Sequence, residues 1–186
     1  MRLLAVLLVL GTLQFSQPVS AKPSLLPVPR TAPEWDVAKW LNGKPTTLKA
    51  LRGKVVIVEF FQLWCPGCSA FSIPLIKRWQ HIFAKEIASG DLEVISIHTV
   101  FEGHDYQNSR RLRAFLKRKQ IHHRVGIDRH KGKSHLPETM KRYGTRGTPE
   151  MAVIGRDGMV RLQEFGWFDV EQAEALIRNL LNAPSS

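Results

Sequence analysis

Along this chain the longest apolar runs and the helically spaced ones alternate. Val55-Val56-Ile57-Val58-Glu59-Phe60-Phe61 is a block of β-branched and aromatic side chains broken by a single carboxylate, which predicts a strand covered on both faces. Residues 92–100 repeat the pattern and residues 125–128 give a shorter version of it. Between these runs, residues 66–88 and 108–119 read as helices, the second with Leu112, Phe115 and Leu116 on one side and basic residues on the other. A brief helix is expected around residues 137–143. Asp157-Gly158 between two apolar runs predicts a hairpin of residues 151–155 and 159–164, and Asp169 is placed to cap a last helix reaching about residue 181. Residues 34–54, with Trp35, Trp40 and the Asn42-Gly43 turn signal, read as short strands around a turn. Strand and helix in alternation imply parallel pairing with helices on both faces, and the late hairpin adds antiparallel strands. The expected architecture is a mixed-sheet α/β sandwich without internal repeats.

The start of the chain follows another logic. Met1-Arg2 carries one side-chain positive charge, residues 3–13 are apolar with Gly11 and Thr12 as interruptions, and Val19-Ser20-Ala21 places small residues at a cleavage position. This is the pattern of a secretory signal peptide over residues 1–21. The apolar stretch falls short of the roughly 20 residues a spanning helix needs, which favours cleavage over a retained anchor. Residues 22–33 contain Pro23, Pro27, Pro29 and Pro33 and are expected to form a loose tether, leaving residues 34–186 as one domain. The expected location is an extracytoplasmic, oxidising compartment, the bacterial periplasm.

With 44% hydrophobic and 23% charged residues, the chain has the composition of a globular domain. Its formal charge of +11 raises a nucleic-acid reading. An exported protein meets little nucleic acid, however, and the densest basic cluster, Arg110-Arg111-Arg113 with Lys117-Arg118-Lys119, lies on the polar side of a helix as a solvated face does. No nucleic-acid partner is therefore expected. A docking face for an acidic partner or an anionic membrane is the lesser alternative.

The chain has two cysteines, and they stand together as Trp64-Cys65-Pro66-Gly67-Cys68 at the end of the first strand and the start of a helix. A helix N-terminus favours thiolate over thiol at the first sulfur, and a cysteine one turn inside can close a disulfide with it. The competing reading, half of a zinc site, lacks a second cysteine pair to complete about four ligands. A stabilising role is poorly served by so small a loop, because its closure entropy is slight. Thiol–disulfide exchange is the favoured chemistry, and no metal is expected.

At this point the sequence resembles the thioredoxin fold. The residues that carry the resemblance are the segment from Glu59 to Cys68, Pro74 in the following helix, and Gly147-Thr148-Pro149 before a late strand. It is most similar to the exported TlpA-like and redoxin-type thiol–disulfide oxidoreductases, which share the Leu51-Arg52-Gly53-Lys54-Val55-Val56 entry to the first central strand and an insertion before the late proline. The resemblance covers about residues 34–182. It implies a three-layer thioredoxin-like sandwich with an N-terminal extension and no cofactor beyond a redox-active disulfide between Cys65 and Cys68. The implied partners are protein thiols and disulfides, with a membrane-bound electron donor as a candidate.

The resemblance also implies roles. Cys65, exposed at the helix start, is the expected nucleophile, and the more buried Cys68 resolves the mixed disulfide. Pro66 suits the first helical position because its missing N–H would have no partner there. Pro66, Gly67, Trp64, Thr148 and Pro149 are expected to border the substrate, with Trp64 restricting access unless it is ordinary core. Pro149 is expected to be cis and to face the cysteine pair. Glu59 stands out on composition as well, since a buried charged carboxylate costs several kcal/mol and its pKa should rise. In the family pattern it lies behind the cysteines and accepts the proton of Cys68; the alternative is a structural pair with Lys54. The seven histidines suggest metal, but His122, His123, His130 and His135 read better as solvent residues, while His98 at a strand end is placed to border the site.

Two other activities are the alternatives, a Cu(I) metallochaperone and a thiol peroxidase. A Cu(I) metallochaperone of this fold resembles a CxxxC spacing, and a thiol peroxidase has threonine three residues before its reactive cysteine, where this chain has Gln62. The Pro66-Gly67 spacer brings no side-chain donor to Cys65, and Glu59 would oppose negative charge on sulfur. The expected direction is therefore that of a reductase.

Overall fold

The computed structural model describes residues 30–184; the expected signal segment and most of the tether lie outside them. Seven strands form one sheet in the order β1-β7-β6-β3-β4-β5-β2. The centre is β3 (Val55–Phe61), wholly buried, with β4 (Leu92–His98) parallel on one side and β6 (Glu150–Ile154) antiparallel on the other. β5 (Arg124–Asp128) continues the parallel half beside β4, and β7 (Met159–Phe165) closes the expected hairpin against β6. No helix among the described residues is long and apolar enough to cross a membrane.

The two edges depart from expectation. Residues 34–54 do not pair with each other: β2 (Val37–Leu41) runs antiparallel to β5 at the far edge, and Lys49–Leu51 is a single 3-10 turn. Local turn signals cannot reveal a partner about ninety residues away. Asp36, just before β2, holds the segment there through ion pairs with Arg129 at 2.8 Å, Lys131 at 2.6 Å and Arg142 at 3.0 Å. These contacts, with Lys131 the strongest, lower the Asp36 carboxyl below its ordinary value. At the other edge β1 (Arg30–Thr31), assigned to the tether by its prolines, pairs with Met159 and Val160 of β7. The folded unit thus begins a few residues earlier than proline content suggests.

One face of the sheet carries α1 (Ile73–Ile82), α3 (Ser109–Arg118) and α5 (Val170–Asn182); Trp79, Leu75 and Ile177 pack on Val55, Ile57 and Val153 there. The opposite face carries α4 (Glu138–Tyr143) and the N-terminal segment, with Tyr143 and Trp35 over Val58, Phe60 and Ile97. The helix expected over residues 66–88 arrives in pieces. Cys68–Ser72 is a π turn, α1 follows, and the chain breaks at the buried Phe83 before α2 (Ala84–Ser89). Pro74 has no N–H for the carbonyl four residues back, so the wider turn before it is a natural adjustment. Asn108 and Asp169 cap α3 and α5, accepting from Arg111 N–H and Gln172 N–H. On α3 the apolar residues face inward and the basic ones outward, as their spacing predicts.

Candidate active site

Cys65 and Cys68 are joined by a disulfide, their Cα atoms 5.2 Å apart, where the loop after β3 becomes the π turn. Cys68 N–H donates to Cys65 Sγ at 3.0 Å, the backbone donor expected at a helix start. Cys65 is less open than its position suggests: 7% of its surface is exposed, against none for Cys68. The correction has a structural cause, since the loop carrying Thr148 folds over it and the Thr148 carbonyl oxygen lies 3.3 Å from Cys65 Sγ. The Thr148–Pro149 bond is cis. Pro149 sits so close to the spacer that a Cβ on Gly67 would lie 2.9 Å from its Cδ, which explains why glycine occupies that position.

A shallow groove opens beside Cys65, lined by Trp64, Pro66, Phe101, Thr148 and Phe165, with the Arg146 guanidinium over the Phe165 ring at 5.4 Å. Trp64 is 45% exposed and is not core. It stacks on Tyr106, ring centroids 5.5 Å apart, and its indole N–H donates to Gln62 Oε1 at 2.9 Å. Beneath it lies Gly103, at φ +60, where any Cβ would fall inside the indole. Gln107 ties the arrangement together. Its amide nitrogen donates to Gln62 Oε1 and to the Glu102 carbonyl, and its Oε1 accepts from Leu63 N–H at 3.0 Å. His98, expected to border the site, reaches it only through this amide: Nε2–H donates to Gln107 Oε1 at 3.3 Å while the ring packs on Phe61. Burial holds its imidazolium below the usual histidine value, at about 4.

Glu59 of β3 is 1% exposed. It does not pair with Lys54. Ser72 at the end of the π turn donates to Oε1 and Ser96 of β4 donates to Oε2, both at 2.6 Å. Burial raises the Glu59 carboxyl above its ordinary range, and the two hydroxyls oppose that shift without cancelling it. Ser96 stands directly across from Glu59 in the parallel register of β3 and β4, and its hydroxyl lies 2.7 Å from His123 Nε2. His123 is therefore half-buried in a polar chain, not the solvent histidine its basic neighbours suggested. The shielded setting, and after it the charge of His122, holds its imidazolium down at about 4.

Ser72, Ser96, His123, Gln62 and Gln107 thus join the residues singled out from sequence. The serines had one signal, a small hydroxyl in an otherwise apolar run; Gln107 and His123 had none, because only the fold brings them within reach.

Residues 28–177 match the Redoxin family model. Among solved structures, a thioredoxin-like superfamily protein is 36% identical with a TM-score of 0.78, over 84% of this chain and 99% of its own. A thiol-disulfide isomerase from Corynebacterium glutamicum is 35% identical with a TM-score of 0.73, over 82% of this chain and 98% of its own. Protein DipZ of Mycobacterium tuberculosis (strain CDC 1551 / Oshkosh) is 31% identical over an alignment of 162 positions that covers 82% of this chain and 21% of DipZ. The chain spans about a fifth of the length of the curated relatives it matches. A disulfide-bonded cysteine pair at a helix start, a buried carboxyl hydrogen-bonded to the turn that Cys68 begins and the matching family model agree: the chain belongs to the redoxin family, with the fold and cysteine pair of the thioredoxin-like thiol–disulfide oxidoreductases.

Proposed function

We propose that this protein is an exported reductase of disulfides in other proteins, and that Cys65, Cys68 and Glu59 carry the reaction. The Cys65 thiolate attacks a substrate disulfide, forming a mixed disulfide and releasing one substrate thiolate. Cys68 then attacks Cys65 Sγ, closing the pair and releasing the second thiolate. Two electrons pass from the cysteine pair to the substrate, and Glu59 takes the proton of Cys68 as its sulfur becomes nucleophilic. Trp64, Pro66, Gly67, Thr148 and Pro149 form the surface that receives the substrate segment.

The observation that favours reduction over oxidation is the buried Glu59 held between Ser72 and Ser96. A carboxylate there disfavours thiolate on the adjacent turn, and the Pro66-Gly67 spacer adds no side-chain donor to offset it. A strongly oxidising couple needs a very stable thiolate. In an oxidising compartment such a reductase must be recharged by an electron donor, for which a membrane-bound dithiol is the natural source. Export follows from the signal pattern of residues 1–21, and the mature chain is expected to begin at Lys22 by mass measurement.

Equilibration with glutathione buffers tests the direction. The expected potential lies well below that of the protein disulfide isomerases, about −180 mV; a value near about −120 mV would make the protein a disulfide-forming oxidase instead. Trapping on a Cys68→Ser variant identifies the partner as a protein bound through Cys65.

A further inference from the structure

Glu59 can take the Cys68 proton only when it is itself unprotonated, so a Glu59 that rests protonated must first release its proton to solvent, and it is only 1% exposed. When the disulfide is closed, neither sulfur is a thiolate that could take it. The other way out runs through Ser96, whose buried hydroxyl spans 2.6 Å to Glu59 Oε2 and 2.7 Å to His123 Nε2. His123 lies just before β5, half-buried at the molecular surface, and Gln80 of α1 sits 3.2 Å from its Nδ1. Two strands, one helix and the loop before β5 therefore line up Glu59, Ser96, His123 and Gln80 in hydrogen-bond contact.

We propose that Ser96 and His123 form the proton path between Glu59 and solvent, with His123 as its outer port. The inference rests on the proton-accepting role of Glu59 proposed above. In the outward half-cycle, protonated Glu59 passes its proton to Ser96 Oγ as Ser96 gives its own to His123 Nε2, and the imidazolium loses its Nδ1 proton to water. This leaves a Glu59 carboxylate and a neutral imidazole protonated at Nε2. In the inward half-cycle, water protonates Nδ1, Nε2–H passes to Ser96, and Ser96 passes a proton to Glu59, leaving the imidazole protonated at Nδ1. Each half-cycle resets the ring for the other, and no proton is gained or lost over a full turn. No electron moves along the path.

The contacts match the state expected with the disulfide closed. Gln80 Nε2 can only donate, so Nδ1 accepts and the ring proton sits on Nε2, from which it donates to Ser96; Ser96 in turn donates to Glu59. The low pKa of His123 keeps its charged form transient at neutral pH. The titratable groups that face it are Glu59, through Ser96, and His122 alongside.

Stopped-flow exchange with a small disulfide at neutral pH tests the path. His123→Ala is expected to slow the Glu59-dependent step about tenfold, with the rate rising in proportion to added imidazole. Ser96→Ala is expected to slow the step similarly without responding to imidazole, because the link itself is missing, and Ser96→Thr to recover what Ser96→Ala loses. Unfolding midpoints of all variants are measured beside the rates. Wild-type rates in a folded His123→Ala protein, or an imidazole-insensitive loss in it, overturn the path. Glu59→Gln measured in parallel separates the two readings: if it is slow while His123→Ala is not, Glu59 keeps its role and the path falls, and if Glu59→Gln exchanges at the wild-type rate, both fall.

Discussion

Two polar clusters flank the cysteine pair, and they are built from different chemistry. On the groove side, Gln62 and Gln107 tie down Trp64 and the backbone of Leu63 through amides, which neither gain nor lose protons near neutrality. On the rear side, Glu59 is held by two hydroxyls, one of which also meets an imidazole, groups that can donate or accept as the proton count changes. Each amide has a fixed sense of donation and so fixes an orientation. A hydroxyl can reverse its sense and so tolerates two protonation states. The groove side is suited to shape and the rear side to proton transfer. Both are buried, and burial alone would not have told them apart.

His98 and Glu59 make opposite predictions for stability against pH, while His123 in the rear cluster shares the sign of His98. His98 in the amide cluster binds its proton more weakly folded, at about 4, than unfolded, at about 6.5. The unfolded chain therefore takes up the extra proton first, and stability present above about pH 6.5 is lost as pH falls toward 4. By linkage the loss approaches about 3 kcal/mol. Urea titrations across this window are expected to show the decline in wild type and a shallower one in His98→Gln. Glu59 works with the other sign. Its raised folded pKa leaves stability intact below the ordinary carboxylate value and removes it as pH rises through the folded value, so wild type should lose stability relative to Glu59→Gln on the alkaline side. Parallel curves for the two variants would dissolve the distinction between the clusters.

In exchange kinetics only the rear cluster should govern proton transfer. Glu59→Gln is expected to slow mixed-disulfide resolution about 100-fold at neutral pH with the fold retained, as read by stopped-flow. The groove side should respond in structure first. Gly103→Ala forces a Cβ into the Trp64 ring at a positive φ, and is expected to lower stability by about 2 kcal/mol and to shift the emission of Trp64 as the ring is displaced. The smallest effect is expected from Trp64→Ala, a few-fold change in rate toward protein disulfides. Its pH profile should match that of wild type, because the ring guards access and carries no proton. A changed profile would bring Trp64 into the rear chemistry.

Much of this site was legible before folding. Cys65 and Cys68 announced themselves by spacing after a buried strand, Pro149 by its place before a late strand, and Glu59 by being the one carboxylate in an apolar run. Each of these signals is local. Trp64 could not be separated from core by its neighbours, since its exposure depends on Gly103, Tyr106 and Gln107, about forty residues later. Residues 34–54 read as short strands around a turn for the same reason, whereas the partner of β2 is β5.

The sequence by itself determined the elements of the centre, their alternation and the redox pair, because hydrophobic period and turn chemistry act over a few residues. Only the tertiary structure decided what stands behind Glu59. Parallel pairing sets β4 beside β3 in one register, and that register places Ser96, and through it His123, against a carboxylate from another strand. Packing then strips water from the carboxyl, so its remaining hydrogen-bond partners are those the fold supplies.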